Sequence, residues 1–270
     1  MTYNEEENLP RCLASVSWAD DVVVVDSFST DRTVEIAKAS GACVVQRAFD
    51  TFAGQRNFGI DHGGIRHEWV LHLDADEVVP PALRDELVDV SRDANAKPAY
   101  RVASKMMFQG RWLKHAGMFP AYQVRFGRRD RLRFVQVGHG QREDLPAIDV
   151  GTLQHALDHY SFSKGLGAWF AKHNTYSSDE AAESIRRGAE DVELRGLVHA
   201  DPVVRRRALK SLSARMPLRP TLRFMYMYVV RRGFLDGGPG FAYCRLLATY
   251  EAMIVAKERE LRLRRQETPP

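Results

Sequence analysis

The chain has 270 residues, 44% of them hydrophobic, enough to bury a substantial core as one large domain or one domain with an appendage. Its net charge of +4 is modest. Three cysteines, Cys12, Cys43 and Cys244, are odd in number and in no metal-type spacing, which disfavours a disulfide scaffold or a zinc module. With no signal peptide and no apolar run of membrane-span length, the expected location is cytoplasmic, or peripheral on the cytoplasmic face of the inner membrane.

Met1-Thr2-Tyr3-Asn4-Glu5 reads as the end of a strand running into a helix, although the strand itself is absent. Helical apolar spacing follows over Asn8–Val16. Asp21–Asp26 is a β-branched run flanked by aspartates, the pattern of a buried strand. Ser27–Asp31 is a polar turn, and Thr30 or Asp31 can cap a helix that Gly41 closes. Ala42–Gln46 reads as a second strand, Phe52–Asp61 as a helix, and Trp69–Leu73 as a third strand. This alternation is that of a parallel sheet covered by helices. Gly-x-Gly-x-x-Gly and P-loop patterns are both missing, which disfavours dinucleotide and Walker-type sites.

The third strand ends in Asp74-Ala75-Asp76-Glu77, and Pro80-Pro81 opens a helix running to Arg92. Ligands of open α/β sheets sit at the carboxyl ends of strands. Strand alternation points Asp74 and Asp76 to one side, where two carboxylates repel unless something cationic lies between them. Oxygen ligands of this kind suit Mg²⁺ or Mn²⁺ shared with a substrate's phosphates. A solvated acidic turn is the bland alternative.

From Ala99 to Tyr160 short β-like pieces alternate with Gly- and Arg-containing loops. Beyond Ser163 the pattern is helical, with a basic helix over Val203–Leu212, an aromatic one over Leu222–Val230, a glycine-rich turn over Gly233–Gly240 and a last helix over Phe241–Arg265. From Arg186 onward there are 18 basic against 9 acidic side chains. That excess admits packing of these helices onto the preceding domain or attachment to an anionic membrane surface; nucleic acid is not expected, because no recognised module accompanies the charge.

In order, Thr-Tyr-Asn-Glu-Glu, Val-Asp-Ser-x-Ser-x-Asp-x-Thr, Gln-Arg-Asn and Leu-Asp-Ala-Asp-Glu resemble a family 2 glycosyltransferase, and most of all its lipopolysaccharide-core β-1,4-glucosyltransferase-like subgroup. The resemblance is dense over residues 2 to 80 and looser through Gly138–Ser161 and Arg232–Gly237. It implies an α/β fold of GT-A (Rossmann-like) type, a mostly parallel sheet flanked by helices, with a mostly helical C-terminal extension. The implied domains are 1–162 (nucleotide-sugar half 1–98, acceptor half 99–162) and a basic helical extension, 163–270.

Carried over by motif, Thr2, Asn4 and Glu5 lie beside the nucleotide, and Asp26 contacts uracil or ribose. Ser27, Ser29 and Asp31 line the same turn, and Arg56 approaches the diphosphate. Asp74 and Asp76 face ribose and metal, Asp76 being the more direct ligand of Mg²⁺ or Mn²⁺. Inverting transfer also needs a base for the acceptor hydroxyl; Glu143 is the candidate and Asp144 the reserve. The resemblance implies a UDP-sugar donor, glucose or another hexose, and a glycan or lipid-linked saccharide acceptor in cell-envelope polysaccharide or lipopolysaccharide assembly. The family normally opens with an apolar strand ahead of Thr-Tyr-Asn. Its absence would leave ladder hydrogen bonds unmade and the nucleotide pocket short of one wall. The alternative is accordingly a non-catalytic nucleotide-sugar-binding or membrane-scaffold protein.

Overall fold

The computed structural model describes residues 1–137, 140–187 and 218–267. They fall into two compact units, Met1–Trp112 with Met118–Ser163, and Leu113–Gly117 with the chain from Lys164 onward.

The first unit opens with α1 (Leu9–Ser15), started by Pro10 in its first turn, where a missing N–H costs nothing. β1 (Val23–Asp26) and β2 (Cys43–Gln46), joined through α2 (Thr33–Ala39), pair in parallel with Val23 opposite Cys43. α3 (Phe52–His62) starts at Thr51, whose hydroxyl accepts the Gly54 N–H at 3.0 Å. β3 (Trp69–Leu71), β4 (Glu77–Val78), α4 (Pro81–Arg92), β5 (Ala99–Phe108), β6 (Arg111–Trp112), β7 (Ala121–Arg128), β8 (Phe134–Val137), β9 (Gly140–Glu143) and β10 (Val150–His159) follow. The main sheet has the order β3-β7-β5-β10-β4, with β6 on β5, while β8 and β9 form a separate hairpin.

The fold is α/β, as expected, with mixed pairing. The expected parallel pairing holds for β1 with β2 and for β5 with β10; β3 with β7, β7 with β5, and β10 with β4 are antiparallel. Leu83 and Leu87 of α4 pack with Val102, Phe126, Leu153 and Leu157 of the main sheet. Leu9, Val24, Ala37 and Ala75 form a second core under α1 and α2. β5 and β10 are longer than the short pieces read from the sequence because each keeps strand geometry through a bulge. The one in β10, between Thr152 and Ala156, frees the N–H groups of Gln154 and His155 for the Glu86 carboxylate, at 2.7 and 2.9 Å.

Among the described residues of the second unit, the regular helices are α5 (Gly165–Arg187), α6 (Arg219–Met225) and α7 (Gly237–Glu267), and Tyr226–Val230 continues α6 as a π-turn. The last helix starts at Gly237, ahead of the expected Phe241, after the 3₁₀ turn Gly233–Asp236. Asp236 is buried and accepts the N–H groups of His115 and Ala116 at 2.9 and 2.7 Å. Arg219 bridges Glu251 and Glu258 of α7. The basic helix expected over Val203–Leu212 lies outside the described residues. Among the described residues no helix is long and apolar enough to cross a membrane.

Candidate active site

Thr2 reaches the carboxyl end of β1. Its N–H donates to Val25 O at 2.9 Å, and Ser27 N–H donates back to Thr2 O at 2.9 Å, one parallel rung between Thr2 and Asp26. Asp26 is completely buried and fully occupied: it accepts from Thr2 Oγ1 at 3.0 Å, Ser29 N at 3.0 Å, Ser29 Oγ at 2.5 Å and Gln46 Nε2 at 3.0 Å. Burial alone would raise its pKa; the Ser29, Gln46 and Thr2 hydrogen bonds outweigh that and hold the carboxyl below its ordinary value. The turn after β1 is laced to the N-terminal segment. Asn4 N–H donates to Ser29 Oγ and Asn4 Oδ1 accepts from Thr30 N; Glu5 N–H donates to Thr33 Oγ1, and Asp31 accepts Glu6 N–H. The motif residues Thr2, Asn4, Glu5, Asp26 and Asp31 therefore do come together, with Asp26 as an internal strut exposing no surface.

Gln55-Arg56-Asn57 gives each residue an anchoring task. Gln55 Nε2 donates to Ser27 Oγ at 2.8 Å. Arg56 is buried and donates to Asp74 Oδ1 at 2.9 Å. Asn57 exchanges two hydrogen bonds with the backbone of Phe134, at 2.9 and 3.0 Å. Phe134 stands opposite Glu143 in the β8–β9 hairpin. A single helix thus ties the β1 turn, the Asp74 turn and the hairpin carrying the candidate base.

The alternation expected to align Asp74 with Asp76 stops after Leu71. Residues 74–77 form a turn, closed by Glu77 N–H to Asp74 O at 3.0 Å, and the two aspartates take different partners. Asp74 has both oxygens on guanidinium groups, Oδ1 on Arg56 and Oδ2 on Arg125 at 2.7 Å. Arg125 also holds the buried Glu77 at 2.7 Å. The cations that the paired carboxylates require are therefore protein side chains in the case of Asp74. Burial opposes ionisation there, yet Arg125 and Arg56 hold Asp74 far below the carboxylate range, whereas burial pushes Glu77 up. Among the described residues no arginine holds Asp76: its Oδ2 lies 3.1 Å from His159 Nε2, and its carbonyl accepts Tyr160 N–H at 2.8 Å. Burial lowers the His159 pKa, but Asp76 more than restores it, leaving the ring above its ordinary value.

Three residues of this site were not singled out from the sequence as functional: Arg125, Arg11 and His159. The guanidinium of Arg11 lies over the Tyr160 ring at 3.7 Å. His159 comes to Asp76 because β10 pairs with β4, His159 opposite Glu77. Glu143 and Asp144 end the β8–β9 hairpin, and Asp144 N–H donates to Arg133 O. Among the described residues neither side chain bonds to the Asp74–Glu77 turn. No group of three or more His, Cys, Asp or Glu side chains converges to hold a metal among the described residues. Mg²⁺ and Mn²⁺ sites commonly take one or two carboxylates and complete their shell from substrate phosphates and water, and the Asp76 carboxylate, which no arginine holds among the described residues, fits that donor set.

The chain carries a glycosyltransferase domain. The family described as glycosyl transferase family 2 matches residues 1–141, and the chain belongs to it. An uncharacterized glycosyltransferase of Rickettsia bellii (strain RML369-C) is 28% identical over 276 residues, covering 97% of this chain and 85% of that protein. LpsC of Rhizobium meliloti (strain 1021), a lipopolysaccharide core biosynthesis glycosyltransferase, is 23% identical over 190 residues, covering 68% of this chain and 70% of that protein. Among solved structures, a mannosyltransferase of Pyrobaculum calidifontis in complex with GDP-Man and Mn²⁺ has a TM-score of 0.46 at 18% identity, covering 95% of this chain and 84% of that one.

Proposed function

We propose that the protein is a metal-dependent, inverting glycosyltransferase. It moves a hexose, with glucose the first expectation, from a UDP-sugar to a hydroxyl of a glycan or lipid-linked saccharide of the cell envelope. The observation that carries this reading is the split of the acidic turn. Asp74 is held by Arg56 and Arg125, whereas Asp76, in the turn between β3 and β4, is held by His159 and by no arginine among the described residues. The kinship with LpsC supports a cell-envelope acceptor.

In this reading Asp76 holds Mg²⁺ or Mn²⁺ beside the donor, with His159 fixing the carboxylate's orientation. The ion supplies charge stabilisation for the departing diphosphate. Asn4, Ser27 and Asp31 receive the nucleoside, on a turn that Asp26 and Thr2 keep in shape. Arg56 acts by setting the Asp74 turn, because its hydrogen bond is spent there. Glu143, with Asp144 in reserve, takes the proton of the acceptor hydroxyl. The acceptor oxygen then bonds to the anomeric carbon from the face opposite the diphosphate, whose bond breaks with its electron pair. The exposed apolar side chains Leu218, Met225, Val229, Val230, Phe234 and Leu235 lie close in sequence to Arg223, Arg231 and Arg232, and support peripheral contact with an anionic membrane.

The test is UDP release from a panel of UDP-sugars in the presence of saccharide acceptors and Mn²⁺. Glu143→Gln is expected to lower kcat by about 10²-fold or more while leaving UDP affinity within about twofold, as for loss of a general base. Turnover unaffected by both Glu143→Gln and Asp144→Asn would remove the hairpin from the chemistry.

A further inference from the structure

One face of the main sheet is packed against α4, where Val102, Leu153 and Leu157 meet Leu83 and Leu87. Strand alternation therefore turns Arg101, Ala103 and Lys105 of β5 to the opposite face. There Arg101 stands beside Thr152 of β10, Ala103 beside Tyr122 of β7, and Lys105 beside Asp158 of β10. Val124, two positions along β7 from Tyr122, is covered: it shares a core with Ala53 of α3 and Phe134 of β8. Next to it the cover ends, for Arg101 is exposed and Tyr122 is 42% exposed. This strip of β5 and β7 thus adjoins the β8–β9 hairpin, which ends in Glu143.

Arg101 is built into the strip by neighbours on both flanking strands. Its Nε donates to Thr152 Oγ1 at 2.8 Å, and its Cζ lies 4.8 Å from the centroid of the Tyr122 ring. Its two Nη groups have no hydrogen-bond partner, and no acid lies within ion-pairing distance of it, among the described residues. A guanidinium held in this way presents an outer fork that matches a carboxylate or a phosphate in two parallel hydrogen bonds. Lys105 is a second cation, four residues or about 13 Å further along the same face. Its Nζ lies 5.3 Å from the centroid of the Trp112 ring and 3.9 Å from Asp158, too far for a hydrogen bond.

We propose that Arg101 and Tyr122 form an acceptor subsite selective for an acidic saccharide. The Arg101 fork takes a carboxylate or phosphate of the sugar, and the exposed part of the Tyr122 ring packs against the sugar's C–H groups. Lys105 adds positive charge further along the strip. The inference rests on the proposed transfer only in naming the bound saccharide as the acceptor, because the strip adjoins the hairpin of the candidate base. The preference for a negative charge follows from the strip itself.

The test is calorimetric titration of the full chain with cellobiose, cellobiouronic acid and a cellobiose phosphate monoester, without UDP or metal. At least one acidic disaccharide is expected to bind about tenfold or more tightly than cellobiose, as a charge-assisted pair of hydrogen bonds would give. The tighter of the two identifies the acid. Arg101→Gln should bring both acids to within about twofold of cellobiose, and Arg101→Lys should recover only part of the preference, since an ammonium lacks the planar fork. Tyr122→Ala should weaken all the disaccharides together. Arg66→Gln, which removes an exposed arginine paired with Asp20 and Asp21, should change nothing. Equal binding of acidic and neutral disaccharides, an acid preference that survives Arg101→Gln, or no binding at all would overturn the proposal. Titration of UDP into the same proteins reads the donor site separately, so the subsite and the transferase reading can each fail alone.

Discussion

Arg125 shows how far the site depends on one guanidinium. It reaches Asp74 and Glu77 with the same nitrogen, and both it and Glu77 are almost fully buried. Removing one member of a buried charge cluster strands the others, so Arg125→Ala is expected to cost about 3–5 kcal/mol in urea unfolding. Arg125→Lys should recover only part, since an ammonium lacks the planar fork. Arg125→Ala within about 1 kcal/mol of wild type would show that the cluster relaxes. Asp26 gives a pH prediction. Its folded pKa lies below the ordinary value of about 4, so its contribution to stability is present above that pH and is lost as pH falls through the folded value. The gap in urea midpoint between wild type and Asp26→Ala should hold from about pH 7 to 5 and shrink below about pH 4; a gap that widens in acid would contradict the assignment. Asp26, Asp74 and Asp76 were legible because each follows an apolar strand. Arg125 was not, because it comes to Asp74 from a strand 51 positions away and sits among other arginines.

α3 is the element on which the site turns, through Gln55, Arg56 and Asn57. It lies close on β1: a Cβ at Gly59 would stand 2.8 Å from Val25 Cγ2, a stiff β-branched neighbour. Gly59→Ala should therefore push the helix outward, cost about 1–3 kcal/mol and weaken the Arg56–Asp74 contact. A crystal structure of the variant with α3 unmoved would refute this. β1, β2 and β3 were legible from β-branched or apolar runs, and α4 from its paired prolines and leucines. The turn at Asp74–Glu77 was not, since it depends on Arg56 and Arg125 drawing Asp74 one way while His159 takes Asp76 another. The start of the last helix at Gly237 was hidden for a similar reason, as glycine ordinarily signals a turn.

At the scale of the whole chain, the family was legible from four short motifs in order, because nucleotide-sugar sites are built from strand ends. The acceptor was not, because the candidate acceptor loops use residue types that serve packing equally well. The basic excess of the last third gives a separate prediction. The full chain should cosediment with vesicles containing anionic lipid and be released at about 1 M salt, where the screening length is about 3 Å; equal binding to neutral vesicles would show that charge plays no part. The central claim, that Asp76 and a divalent ion hold the donor, is tested most directly by calorimetric titration of UDP with and without Mn²⁺ on wild type and Asp76→Ala. The account predicts binding that requires Mn²⁺ and is lost in Asp76→Ala, whereas binding of equal strength without the ion and in the variant would contradict it.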